Sequence, residues 1–157
     1  MGKQMSNTTC GICERNHPAE YEVMSTKHWR IRHSLETNIL GYCILEPQRH
    51  FLDLSEATDD ELQHYPILLS ALMKTLREIP ECLRIYTFSL AEAVPHYHLH
   101  VIPRSENFPR GFAGRGIMSY PTSPAADKSL VESRVQSLRQ RIKLHLPEID
   151  KNRCILF

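Results

Sequence analysis

The chain has 157 residues, with 19 Lys and Arg against 18 Asp and Glu, for a formal charge of +1. That length suits one domain with a real core. The near balance of charge argues against a duplex nucleic-acid partner. No apolar run is long enough for a membrane helix, and Met1–Asn7 lacks the apolar core of a signal peptide. Five cysteines, an odd number, fit reduced thiols better than a disulfide framework. The expectation is a cytosolic globular protein.

Taken in order, residues 1–9 read as a flexible arm, 10–122 as the domain core, and 123–157 as a C-terminal helix and tail packed on it. Cys10-Gly11-Ile12-Cys13 suits one half of a zinc site, because a short loop aims two thiolates at one metal. A redox dithiol is the rival, though no apolar strand precedes the pair; two unrelated cysteines are the third reading. Apolar and polar residues alternate from Trp29 to Leu35, which predicts a half-buried strand. Thr37–Gly41 is turn-like, and Tyr42–Glu46 is a second strand closed by Pro47 and antiparallel to the first. His50 follows in a loop.

Thr58 with Glu61 three residues on forms a capping-box pattern. Leu62, Tyr65, Leu68, Leu69, Leu72, Met73 and Leu76 then recur at helical spacing. Pro66 predicts a kink or the start of a second segment, and Pro80 the end. Leu83–Leu90 alternates as a strand, Ala91–Pro95 turns, and a histidine strand runs to Pro103. From Arg104 to Thr122 the chain is polar, glycine-bearing and irregular. Such a loop either closes over an anion or is a solvated connection. Ser123–Ala126 opens the last helix, with Leu130, Val131, Val135, Leu138, Ile142 and Leu146 on its apolar stripe. Cys154-Ile155-Leu156-Phe157 formally matches a prenylation box, against the plainer reading of an apolar tail.

The histidine strand is the most informative stretch. In a strand, His96, His98 and His100 line one face at about 7 Å spacing, with Tyr97, Leu99 and Val101 on the other. Three ligands spread over about 14 Å do not converge on one zinc. A chance cluster on an exposed face fits poorly with the enclosing Pro95 and Val101–Arg104. In the remaining reading one imidazole is a nucleophile toward phosphorus, one ring nitrogen free and the other N–H held by an acceptor. His98, flanked on both sides, is the natural choice.

His96-Tyr97-His98-Leu99-His100-Val101-Ile102 resembles the signature of the histidine triad (HIT) nucleotide hydrolases and transferases. Ile102-Pro103-Arg104 is similar to the version found in many zinc-containing members. The likeness runs from about Cys10 to about Tyr120, including Ile44–His50, the capped helix and the loop from Arg110 to Tyr120. The resemblance implies an α+β fold, an antiparallel sheet of about five strands with two main helices, and commonly a homodimer. It implies attack on the α-phosphate of a dinucleoside polyphosphate or a nucleoside phosphoramidate. His98 would carry the covalent nucleotidyl intermediate, a backbone carbonyl of the triad segment would fix its tautomer, and His100 would contact the phosphate. Cys10, Cys13, His50 and His96 would hold a structural Zn2+.

Three departures from the family pattern stand out. Tyr42 occupies the place of a further histidine. Glu92-Ala93-Val94-Pro95 replaces a Gln- and Ser-bearing stretch that touches phosphate. The usual acidic residue near the ribose has two candidates, Ser34 and Glu36. Tyr42, Arg104, Arg110 and Arg115 are the expected substrate contacts, the arginines replacing the lost donors. The alternatives are a non-catalytic nucleotide-binding module with a structural zinc and a metal-responsive interaction protein.

Overall fold

A computed structural model describes residues 10–147; the N-terminal arm and the Cys154–Phe157 tail lie outside them. Five strands form one antiparallel sheet: β1 (Glu22–Ser25), β2 (Trp29–His33), β3 (Cys43–Pro47), β4 (Cys82–Phe88) and β5 (Leu99–Ser105), in the order β1-β2-β3-β5-β4. Helices α1 (Asp59–Arg77) and α2 (Lys128–Ile142) pack together, and α2 also packs on β1. This is the α+β architecture the resemblance implies.

Alternation in the strands sorts the two faces. Trp29, Ile31, Cys43, Leu45, Leu99 and Val101 bury against Leu68, Leu72 and Leu76 of α1 and Val131, Val135, Leu138 and Ile142 of α2. The intervening residues face the other way. Arg32 lies opposite Ile44, Ile44 opposite His100, and His100 opposite Phe88, so one row crosses four strands on the outer face. A smaller apolar cluster of Ile39, Tyr42, Ile44, Ile102, Phe108 and Ile117 covers part of it.

Several boundaries differ from the sequence reading. β1 escapes pattern recognition because a register shift between Glu22 and Met24 breaks its alternation, leaving Val23 and Met24 both buried. Helix α1 runs through Pro66 without ending, its start secured by the capping box and by Trp29 Nε1–H donating to the Glu61 carbonyl at 2.9 Å. Strand β5 extends to Ser105, beyond the expected stop at Pro103. Helix α2 begins at Lys128, not at Ser123, because the Asp127 side chain accepts from the Ser129 and Leu130 N–H groups. Leu130 is exposed.

The β2–β3 connection is held from beneath. His33 is 1 % exposed; its Nδ1–H donates to the Ser34 carbonyl at 2.6 Å, and Gly41 N–H donates to its Nε2 at 2.8 Å. Gly41 sits at φ +90°, and a Cβ there would press on Ile79 and Pro103 at 3.1 Å. Only glycine meets both demands. This anchor sets residues 36–42 along the edge of the outer face.

Candidate active site

The three histidines do not line one strand face. Only His100 lies within β5; His96 and His98 lead into it, where the pairing with β3 has stopped at Leu45 and Leu99 although β3 itself runs on to Pro47. Instead, Tyr97 N–H donates to the Phe51 carbonyl at 2.7 Å and the two rings stack. Each histidine therefore has its own surroundings. The His98 and His100 ring centres are 4.9 Å apart, closer than a regular strand would place them.

His96 is buried and turned toward the cysteines. Its Nε2–H donates to the Pro47 carbonyl at 3.1 Å, so Nδ1 presents a lone pair. Nδ1 lies 3.4 Å from both Cys10 Sγ and Cys13 Sγ, and His50 Nδ1 lies 3.6 Å from Cys13 Sγ. All four donor atoms fall within 4.8 Å of one another. A tetrahedron with metal–ligand lengths of about 2.0–2.3 Å has edges of about 3.3–3.8 Å; the 3.4 and 3.6 Å separations match such edges, and the two thiols and two imidazoles fit zinc in chemistry. The carbonyl bond to His96 supplies the outer support such ligands ordinarily have.

His98 is half-buried. Its Nδ1–H donates to the His96 carbonyl at 2.7 Å, the kind of carbonyl contact the resemblance implies, and Nε2 keeps its lone pair. His100 stacks on Phe88, with ring centres 4.5 Å apart. The Tyr42 hydroxyl lies 2.6 Å from His100 Nδ1. Burial raises the Tyr42 phenol above its ordinary range, so it stays protonated. The phenol has no other acceptor among the described residues; it donates to Nδ1 and leaves His100 Nε2–H as a donor. Burial, then the neighbouring His98, lower His100 to about 4, so it is neutral at physiological pH. Tyr42 thus holds His100 in place.

His98, His100 and Tyr42 line a pocket of about 440 Å³ on the outer face. Ile39, Phe88, Ile102, Ile117 and Tyr120 supply an apolar end, and Glu36, Glu92, Arg15 and Arg32 supply charge. Glu36 lines the pocket while Ser34 is buried, which separates the two acidic-site candidates. The long loop after β5 does fold over this face, through Ile117, Met118, Tyr120 and Thr122. Its arginines do not reach the pocket lining. Arg104 lies in β5 opposite Arg84, and Arg110 and Arg115 are exposed on short 3-10 turns. Side chains on irregular turns follow no period that a sequence reveals.

Arg15 and Ile12 were missed by sequence reasoning. Their closeness to Cys10 and Cys13 was the available signal, since a loop folded around a metal carries its neighbours with it. Arg32 was also missed; it alternates with Ile31 in an amphipathic strand and looks like an ordinary solvated residue.

The site thus consists of a histidine on the outer face of the sheet, an adjoining imidazole held by a backbone carbonyl, and a pocket before both. The HIT domain model matches residues 16–107, more than half of the chain, and the chain belongs to the HIT family. Cys10 and Cys13 precede the matched span. Solved structures agree on the fold. A Zn-bound histidine triad family protein from Mycobacterium smegmatis is 17 % identical, with TM-score 0.62, covering 86 % of this chain and 91 % of that one. A histidine triad protein from Bradyrhizobium japonicum is 18 % identical at TM-score 0.62, covering 82 % and 97 %. One from Marinobacter aquaeolei is 20 % identical at TM-score 0.62, covering 77 % and 89 %. Comparison with curated proteins finds no match.

Proposed function

We propose that this protein is a nucleotide hydrolase or nucleotidyl transferase that works through a covalent nucleotidyl-His98 intermediate. The observation that carries the reading is the 2.7 Å bond from His98 Nδ1–H to the His96 carbonyl, which leaves Nε2 unprotonated within the pocket. His98 Nε2 attacks the α-phosphorus of a dinucleoside polyphosphate or nucleoside phosphoramidate. The P–O or P–N bond to the leaving group breaks, and the leaving group departs with the electron pair. Water or another acceptor then breaks the P–N bond to His98. His100 donates Nε2–H to a phosphate oxygen, and Tyr42 maintains that tautomer.

Zinc is part of the proposal, supported by the fit of Cys10, Cys13, His50 and His96 and by the zinc-bound relative. The bound ion supplies structural cross-linking, and the His96 carbonyl ties that cross-link to His98. The homodimer common in the family is proposed for this chain as well, with sedimentation as its check.

The decisive experiment is rapid-quench trapping with labelled substrates from both classes. The wild type should accumulate a labelled nucleotidyl-protein. His98→Ala should form none and lose at least about a thousandfold in turnover while still binding nucleotide. Undiminished turnover by His98→Ala refutes the mechanism. A second reading, nucleotide binding without chemistry, is favoured by one observation. Glu92, Ala93 and Val94 line the pocket and bring a carboxylate where the family pattern has phosphate donors. Binding without adduct across the whole substrate panel would select it.

A further inference from the structure

We propose that Arg15, carried into the pocket by the Cys10–Cys13 loop, is the cation that binds the nucleotide's phosphate, and that metal and nucleotide binding are coupled through it. The inference rests on the nucleotide reading above.

Two positively charged side chains line the pocket among the described residues, Arg15 and Arg32. Arg32 is already engaged. Its Nε donates to both Glu46 carboxylate oxygens, at 3.2 and 3.1 Å, and Glu46 is 0 % exposed. Moving that guanidinium to a ligand would leave the buried carboxylate with only the longer 3.6 Å pairing to Arg30 Nη1 and the 3.8 Å approach of His17 Nδ1, which is costly. Arg15 makes no hydrogen bond or ion pair with any described residue and is solvent-exposed. Its guanidinium is free to take phosphate oxygens in a forked arrangement. Glu92-Ala93-Val94 removes the neutral donors that would otherwise share this task.

The loop that delivers Arg15 is the metal loop itself. Ile12 lies between the two cysteines, is 4 % exposed, and also lines the pocket. The Glu14 N–H donates to the Cys10 carbonyl at 3.0 Å, and His17 Nε2–H donates to the Ile12 carbonyl at 3.0 Å. The cysteines face His50 and His96 from the same turn. A metal that pins both cysteines therefore fixes Ile12 as a pocket wall and confines Arg15 beside it. Linkage then requires reciprocity: whatever factor the metal adds to nucleotide affinity, the nucleotide adds to metal affinity.

The test uses the zinc-loaded full chain with Arg15→Ala and Arg15→Lys. Calorimetry is run with the four common nucleoside 5′-monophosphates and the matching nucleosides. Arg15→Ala should weaken the best monophosphate about ten- to a hundredfold, with Arg15→Lys intermediate and nucleoside binding unchanged. Unchanged nucleoside binding distinguishes a lost phosphate contact from a damaged fold. In parallel, a chromogenic chelator withdraws zinc with and without saturating monophosphate. Nucleotide should slow zinc release several-fold in the wild type and not in Arg15→Ala. Equal monophosphate affinity in wild type and Arg15→Ala, or zinc release indifferent to nucleotide in the wild type, overturns this inference and leaves the functional reading standing. A wild type that binds none of the monophosphates overturns both.

Discussion

At the scale of single residues, the same side chain at three alternate positions, 96, 98 and 100, has three different sets of partners. His96 gives its Nε2–H to the Pro47 carbonyl and turns its Nδ1 lone pair into the space that Cys10 and Cys13 also face. His98 gives its Nδ1–H to the His96 carbonyl. His100 receives the Tyr42 hydroxyl on Nδ1. The partner on one nitrogen decides what the other nitrogen offers. Replacing Tyr42 with phenylalanine removes a hydrogen bond that favours neutral imidazole. His100 should then titrate above its present value of about 4, because the neutral form alone loses support. Imidazole NMR titration reads the shift directly. Turnover of Tyr42→Phe should fall about tenfold with little change in KM, since the substrate-facing donor is mispositioned and not deleted. Tyr42→His should recover part of the rate. A Tyr42→Phe protein with wild-type titration and rate would remove Tyr42 from the mechanism.

At the scale of elements, helix α1 shows how tertiary packing overrides local preference. Pro66 lacks the N–H needed by the Leu62 carbonyl, yet the helix continues to Arg77. The capping box, the Trp29 bond to Glu61 and the buried Leu68, Leu72 and Leu76 hold it together. Pro66→Ala should therefore raise stability by about 1–3 kcal/mol, measured as a shift of the urea midpoint with unchanged m-value. A loss of stability would mean that the ring packs better than it strains. The same reasoning covers the loop after β5. Its apolar residues reach the pocket because they have a face to bury, while Arg110 and Arg115 stay in water where their charge is best solvated.

At the scale of the whole molecule, the buried imidazoles make stability depend on pH. Burial lowers His33 from an ordinary 6.5 to about 4. Above pH 6.5 the ring is neutral in both states, and the folded form keeps its full stability. Between 6.5 and 4 the unfolded chain takes a proton that the folded chain refuses, so stability falls as pH falls, by about 3 kcal/mol for His33 across the window. His100 adds a contribution of the same sign. Glu61 is lowered to about 2, chiefly by its bond from Arg49, so its contribution is lost only further down, between 4.5 and 2. Urea unfolding from pH 8 to 4 should show the first decline near pH 6.5. His33→Gln, compared at the same zinc concentration, should flatten the slope; an identical slope would assign the decline elsewhere.

The strands β2 to β5, the capped helix and the Cys–His composition were legible from the chain alone, because each rests on a local period or a fixed spacing. Strand β1 was not, since its bulge erases the alternation. Nor was the pocket's charge, because Arg15, Arg32 and Glu36 come together from the segment after Cys13, a strand and a turn. By itself the sequence determined which residue types were available: two cysteines at loop spacing and three histidines at alternate positions. Only the tertiary structure decided where each imidazole points. That choice depends on the β3–β5 pairing stopping at Leu45 and Leu99, on the Phe51 carbonyl holding Tyr97, and on Tyr42, just before the start of β3, reaching His100 on the neighbouring strand. Those contacts join residues far apart in the chain, and hydrogen bonds between distant residues leave no mark on local pattern.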